Sequence, residues 1–148
     1  MFSYYSKSIF SKIITNFWIL LFCSSAYSAE VVLQSVSNID NEEIHNAHDG
    51  NSFKLIKLDR GCKIEAHFYL SDQNQLSHYI FLKKDLQKVS RETFRYRYEK
   101  DFEGSLGHVT DTYLDSNINL NILDPDVKKD FNLYKALFPN QYLKLCEH

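Results

Sequence analysis

One stretch near the middle of the chain decides the fold, and it reads Cys62-Lys63-Ile64-Glu65-Ala66-His67-Phe68-Tyr69-Leu70. Every second side chain, from the cysteine to the final leucine, is small or apolar, and most of those between are polar. Successive side chains of a β-strand point to opposite faces, so this alternation predicts an antiparallel strand with one buried face. Residues 71–75 are a polar turn, and residues 76–83 are predicted to return as the paired strand.

Further strands are predicted on both sides of this pair. Their ranges are 30–39, 53–58, 93–99 and 108–115, followed by an alternating segment at 115–122. Polar or glycine-containing turns separate most of these segments, as is typical of consecutive antiparallel strands. The pattern therefore predicts an antiparallel β-meander sheet of about five to seven strands.

Helices are predicted at two places. Asp40 and Glu43 can form a capping box for a short N-terminal helix over 41–47. Asp124 and Pro125 fit the cap and first position of a C-terminal helix that ends before Pro139. Apolar residues recur through it at helical spacing, namely Val127, Phe131, Tyr134 and Phe138. This amphipathic helix should pack on the sheet, and the fold class is α+β.

Two segments carry mixed signals. In residues 84–91, the spacing of Leu82, Leu86 and Val89 suits a helix, but the segment is too short to require one. In residues 115–122, polar side chains take one face and apolar ones the other. The two sets are Asp115, Asn117, Asn119 and Asn121, and Ile118, Leu120 and Ile122. We expect the apolar set to be buried under a solvated outer face.

The first 29 residues have the layout of a secretory signal peptide. Lys7 and Lys12 precede an apolar block that ends at Phe22, and small residues follow it up to Ala29. The apolar block has about ten residues, as in a signal peptide, whereas a membrane span needs roughly 20. Cleavage is expected within residues 26–29. Lipidation at Cys23 is the weaker alternative, because the bulky Phe22 precedes it.

The domain expected after cleavage, residues 30–148, is a single acidic unit. Its length of about 119 residues is that of one domain. All 19 acidic residues but only 15 of the 17 basic ones lie in it, which leaves a net charge near −4. This balance argues against nucleic acid or an anionic membrane surface as the partner. We expect a periplasmic or secreted protein without a stable membrane anchor and without a cofactor.

The cysteine count supports the same compartment. Loss of Cys23 with the signal would leave Cys62 and Cys146, and an even pair in an oxidising compartment predicts one disulfide. Two separate buried thiols are the alternative.

Catalytic and metal motifs are missing from the sequence. No G-x-S-x-G, H-E-x-x-H or Walker pattern occurs. His45 and His48 are three residues apart, but they match no recognised zinc spacing, and we predict no metal site. A second group of histidines lies on predicted strands, with several aspartates nearby: His67, His78 and His108. A hydrolase or ligand-binding enzyme, with a His/Asp site between the sheet and the C-terminal helix, is therefore the alternative function.

The strand at 93–99 provides the candidate binding residues. Its aromatic and basic side chains alternate, and the candidates are Arg95, Tyr96, Arg97 and Tyr98. With the aromatic side chains toward the core, the two arginines would form an exposed row suited to carboxylates of a partner. Cross-strand ion pairs to Asp111 or Asp115 are the alternative interpretation.

These features favour a small, non-enzymatic binding protein that acts on another protein of the cell envelope. An inhibitor or immunity-type protein and an envelope accessory factor both fit this description. The sequence leaves the oligomeric state open.

Overall fold

The computed structural model describes residues 30–40, 44 and 49–148. These residues form one α+β domain. The predicted signal peptide lies outside the described residues. So does the predicted helix at 41–47, except for Ile44, which is buried in the core.

Six strands form one antiparallel sheet whose spatial order is the chain order. They are β1 (Val31–Ser37), β2 (Asn51–Lys57), β3 (Cys62–Tyr69), β4 (Gln73–Leu82), β5 (Asp85–Tyr98) and β6 (Val109–Leu120). Each strand pairs with its neighbour in sequence, which confirms the predicted meander. The order leaves β1 and β6 at the two edges of the sheet.

The strand boundaries around β5 differ from expectation. The ambiguous segment at 84–91 is almost entirely strand, because β5 begins at Asp85 directly opposite Leu82. Only Lys83 and Lys84 lie between β4 and β5. The connection is therefore too short for the helix that the spacing of Leu82, Leu86 and Val89 would suit. The two segments predicted at 108–115 and 115–122 form the single strand β6 and the turn after it.

One face of the sheet is covered by the helix α1 (Pro125–Ala136). The sheet residues buried beneath it come from four strands: Phe53, Leu55, Cys62, Ile64, Ala66, Phe68, Tyr79, Phe81 and Val89. The Phe131 ring lies 5.3 Å from that of Phe81 and 6.3 Å from that of Tyr79, measured between centroids. The Tyr134 ring lies 5.1 Å from that of Phe53. Aromatic packing between α1 and the sheet therefore forms the core.

The start of α1 follows from its cap. The Asp124 side chain accepts a hydrogen bond from the Asp126 backbone N–H at 2.9 Å, and Pro125 occupies the first turn. Two helical turns that we did not predict follow Pro139. They are the short helix α2 (Asn140–Leu143) and a 3₁₀ turn (Lys144–Glu147).

The expected burial on β6 is wrong for Ile118, which is 48% exposed. This residue lies opposite Arg91 on an edge strand. The rings of α1 contact those of β2, β3 and β4, in the middle of the sheet. The apolar face of β6 thus continues the buried face of the sheet only in part.

The predicted cysteine partners are brought together. Cys62 and Cys146 lie at disulfide distance, with Cα atoms 5.2 Å apart, and both are fully buried. Backbone hydrogen bonds from Gly61 to His148 and from Lys83 to Cys146, at 2.9 and 3.2 Å, tie the same C-terminal segment to two turns of the sheet.

Replacing both Cys62 and Cys146 by serine should lower stability. The bridge closes a loop with a sequence separation of 84 residues. Loop-closure entropy in the unfolded chain then sets an upper value of about 4.6 kcal/mol. Chemical denaturation of the oxidised wild type and the double variant measures the difference, and peptide mapping without reductant identifies the bridge. Two freely alkylated thiols in the native exported protein would contradict the pairing.

The Phe131→Ala variant should lose about 3–5 kcal/mol of unfolding free energy, the usual cost of emptying a buried phenylalanine site. Its neighbour Asn132 is exposed on the same helix. The Asn132→Ala variant is the matched control and should change stability by less than about 0.5 kcal/mol. Urea titrations of both variants provide the measurement, and similar small losses would show that α1 does not close the core.

Candidate functional site

The hairpin formed by β5 and β6 extends beyond the rest of the sheet. The last residue of β5 paired to β4 is Arg95, opposite Gln73. Tyr96, Arg97 and Tyr98 pair only with β6. We call residues 96–113 the hairpin end. This segment is a two-stranded ribbon, an arrangement that is marginally stable in water unless other groups support it.

An open groove of about 1050 Å³ lies at the hairpin end. Its lining residues come from both strands and from the connecting loop: Tyr96, Arg97, Tyr98, Glu99, Lys100, Asp101, Glu103 and Tyr113. Three of the four binding residues expected from the sequence therefore line one groove. Arg95 does not.

Of the four candidate residues, Arg97 is exposed, and the other three are half-buried. The Arg97 guanidinium carbon lies 5.0 Å from the centroid of the Tyr113 ring, in a cation–π contact across the strands. This contact holds an exposed guanidinium over an aromatic surface while leaving its N–H groups accessible. The Tyr98 ring meets the Tyr96 ring edge-on at 6.2 Å.

Tyr96 is a support for the ribbon. Its hydroxyl lies within hydrogen-bonding distance of two acceptors near the turn between β3 and β4, the Leu70 carbonyl and the Asn74 side-chain oxygen, and its one hydrogen can be donated to either. Burial raises the pKa of Tyr96, and negative charge at Asp49 acts in the same direction. The tyrosine therefore stays protonated and anchors the base of the hairpin end to the main sheet.

Arg95 is already engaged by carboxylates of its own chain. One of its terminal nitrogens lies 2.8 Å from an Asp72 carboxylate oxygen, and its Nε lies 3.6 Å from one of Asp115. The alternative that we considered, a cross-strand ion pair to Asp115, is thus the geometry found for this residue.

Tyr96 and Tyr98 do not share the face of the core, so the condition under which the two arginines would form an exposed row is not met. Val89 faces the core, and the alternation of β5 gives the same face to Arg91 and Arg95. Arg91 Nε donates to the hydroxyl of the buried Ser77 at 3.2 Å, as this assignment requires. Tyr96 and Tyr98 belong to the opposite parity. The face that each of these side chains takes is therefore set by its parity with the buried Val89, and not by its own hydrophobicity.

The loop of the hairpin end adds apolar and acidic groups to the groove region. The Phe102 ring stacks on the His108 ring with centroids 4.0 Å apart, and Phe102 is still 47% exposed. His108 Nδ1 lies 3.0 Å from a Glu99 carboxylate oxygen. Tyr113 and Phe102 were not among the residues singled out from the sequence. The sequence feature that could have identified them is the occurrence of aromatic residues on both sides of the loop glycines Gly104 and Gly107.

Two of the histidines considered for catalysis lie on the sheet face away from α1. His78 stands between two glutamates, 3.7 Å from Glu65 and 3.9 Å from Glu92. Burial lowers the pKa of His67, and the nearby Lys54 ammonium lowers it further against the opposing effect of Glu65. His108 lies near the hairpin loop. None of the three meets an aspartate between the sheet and the helix.

The interface between the sheet and α1 is filled by aromatic side chains. Burial raises the pKa of Tyr79 to about 12 and raises that of Tyr134 as well. Both hydroxyls therefore stay protonated at neutral pH, and neither is poised to act as a base there.

The described residues contain no group of three or more His, Cys, Asp or Glu side chains placed to hold a metal ion. His45 and His48 lie outside the described residues. Among the described helices, none has both the length and the apolar character needed to cross a membrane.

Comparison of the chain with protein-family models, curated proteins and solved structures finds no match. The candidate site therefore rests on its own geometry.

Proposed function

We propose that this protein is an exported, non-enzymatic binding protein that engages another protein of the cell envelope through its hairpin end. The observation that carries the proposal is the groove formed where β5 and β6 leave the sheet. Tyr98, Arg97 and Tyr113 present large side chains there without contributing to the buried core.

The composition of the groove supports a protein partner. Tyrosine and arginine are enriched among the residues that dominate binding energy at protein interfaces. Phe102 and Leu106 of the loop, and Leu114 beside Tyr113, are exposed and add apolar area that a partner would remove from water. A projecting ribbon with this surface is better explained by docking than by fold stability.

The charges of the groove define the partner further. Three acidic residues line it together with two basic ones: Glu99, Asp101 and Glu103, and Arg97 and Lys100. A complementary surface would place an apolar or aromatic side chain against the tyrosines, a carboxylate near Arg97 and a basic group near the acidic residues. Such mixed charge favours specific contacts over general attraction to a polyanion.

Export is supported by two independent features. The first is the signal-peptide pattern of residues 1–29. The second is the cysteine pair at disulfide distance, because disulfides persist mainly in oxidising compartments.

If export is correct, the mature chain begins between Tyr27 and Glu30. N-terminal sequencing of protein from periplasmic and culture-medium fractions checks this. The double variant Leu20→Arg with Leu21→Arg places charge in the apolar block and should leave the precursor uncleaved. A wild-type chain that keeps Met1 in the membrane fraction would contradict export.

The binding surface is tested by a photo-crosslinking residue placed at Phe102 or, as a control, at Leu145. These side chains have matched exposures of 47% and 48%. Only the probe at Phe102 should yield a discrete adduct with a partner protein, identified by mass spectrometry.

With the purified partner, Arg97→Ala combined with Tyr98→Ala should weaken binding by about 2 kcal/mol, or roughly thirtyfold. Arg60→Ala, an exposed loop change distant in sequence from the groove, should leave the affinity unchanged. Equal affinities for wild type and both variants would place the binding surface elsewhere.

A further inference from the structure

Four lysines surround a second cavity at the other end of β5. This cavity measures about 270 Å³, and its lining includes Lys83, Lys84, Lys135, Lys144, Asn140 and Glu147. Residues rise by about 3.3 Å along a strand, so some 40 Å of β5 separates this site from the hairpin end. The two sites therefore share no lining residue and are independent of each other. We call the cavity lined by the four lysines the lysine pocket.

The first wall of the lysine pocket is a tight turn in an unusual conformation. Lys83 has a φ of +59° and forms, with Lys84, the two-residue connection between β4 and β5. Such connections favour glycine or asparagine, because a side chain raises the energy of a positive φ. The Lys83 backbone N–H donates to the Cys146 carbonyl at 3.2 Å, which helps to fix the turn. A lysine at such a position suggests a role beyond making the turn.

The opposite walls are held as firmly. Lys135 Nζ lies 3.5 Å from the Lys83 carbonyl oxygen and about 5.5 Å from the ring centroids of Phe81 and Phe131. Lys144 precedes by two residues the cysteine that is paired with Cys62. Lys135 and Lys144 thus lie on segments that pack against the core.

The electrostatics of the lysine pocket differ from those of the chain as a whole. The chain has a net charge of −2, yet four lysines and one glutamate are among the residues that line this cavity. Burial lowers the pKa of Lys135, and the Lys84 ammonium lowers it further, although Asp85 opposes this. A bound anion would reduce the electrostatic repulsion between these lysines.

We propose that the lysine pocket binds a small anion that carries a phosphate group. Phosphate offers strong acceptor oxygens and a charge between about −1.5 and −2 at neutral pH. Lysine ammonium groups suit it as point-charge donors. The cavity volume is enough for inorganic phosphate or the phosphate end of a phosphomonoester, and Asn140 can donate from its side-chain amide.

Titration of the isotope-labelled, disulfide-linked mature protein with inorganic phosphate, at constant ionic strength, tests the proposal by NMR. Amide shifts should saturate and concentrate at Lys83, Lys84 and Lys144. Lys84→Gln combined with Lys144→Gln should weaken binding at least tenfold. The control, Lys88→Gln combined with Lys129→Gln, removes the same charge outside the pocket and should bind as wild type does. Thermal melts establish that both variants are folded.

A second arm separates the possible sources of the phosphate group. Phosphatidylcholine vesicles with and without phosphatidic acid are sedimented with the wild type and with both double variants. Phosphate binding without sedimentation supports a soluble phosphomonoester. Sedimentation that requires phosphatidic acid and the pocket lysines supports a lipid headgroup. Shifts that do not saturate, or equal losses in the two double variants, would overturn the proposal.

Discussion

The structure depends on the antiparallel register around β3. Cys62, Ile64, Ala66 and Phe68 all face α1, and a shift of one residue would expose this whole set to water. Ile64 pairs with Leu55 of β2 and with Tyr79 of β4. The register of β3 therefore also sets which face of β2 and β4 is buried. Cys62 adds a covalent constraint, because its contact with Cys146 fixes the C-terminal turns against the same strand.

This arrangement leaves the two ends of the long strand β5 in different environments. Its beginning lies beside the cysteine pair, where the turns and α1 hold several lysines around a small cavity. Its other end leaves the support of β4 after Arg95 and continues with β6 alone. We propose the first end as the site of a small charged ligand and the second as the surface for a protein partner. The helix side of the central strands is filled by aromatic rings.

Local patterns were sufficient to predict much of this fold. The alternation from Cys62 predicted β3, and the cap at Asp124 predicted the start of α1. The face of β5 could not be predicted, since residues 94–98 carry rings on one parity and arginines on the other. Only the register inherited from Val89 decides between them. For the candidate site, the sequence grouped Tyr96, Arg97 and Tyr98, but Tyr113 required the cross-strand pairing. The lysine pocket joins residues from distant parts of the chain, which no local pattern reveals.

The central claim is that residues 96–113 lie outside the cooperative core that β3 organises. Native-state hydrogen exchange of the mature, disulfide-linked protein tests it most directly, because the free energy of opening is obtained amide by amide. Amides in the interior of β3 should exchange only through global unfolding. Those of Arg97, Tyr98 and the residues paired with them should exchange through local opening, at a clearly lower free energy. Equal protection along the whole of β5 and β6 would contradict the account.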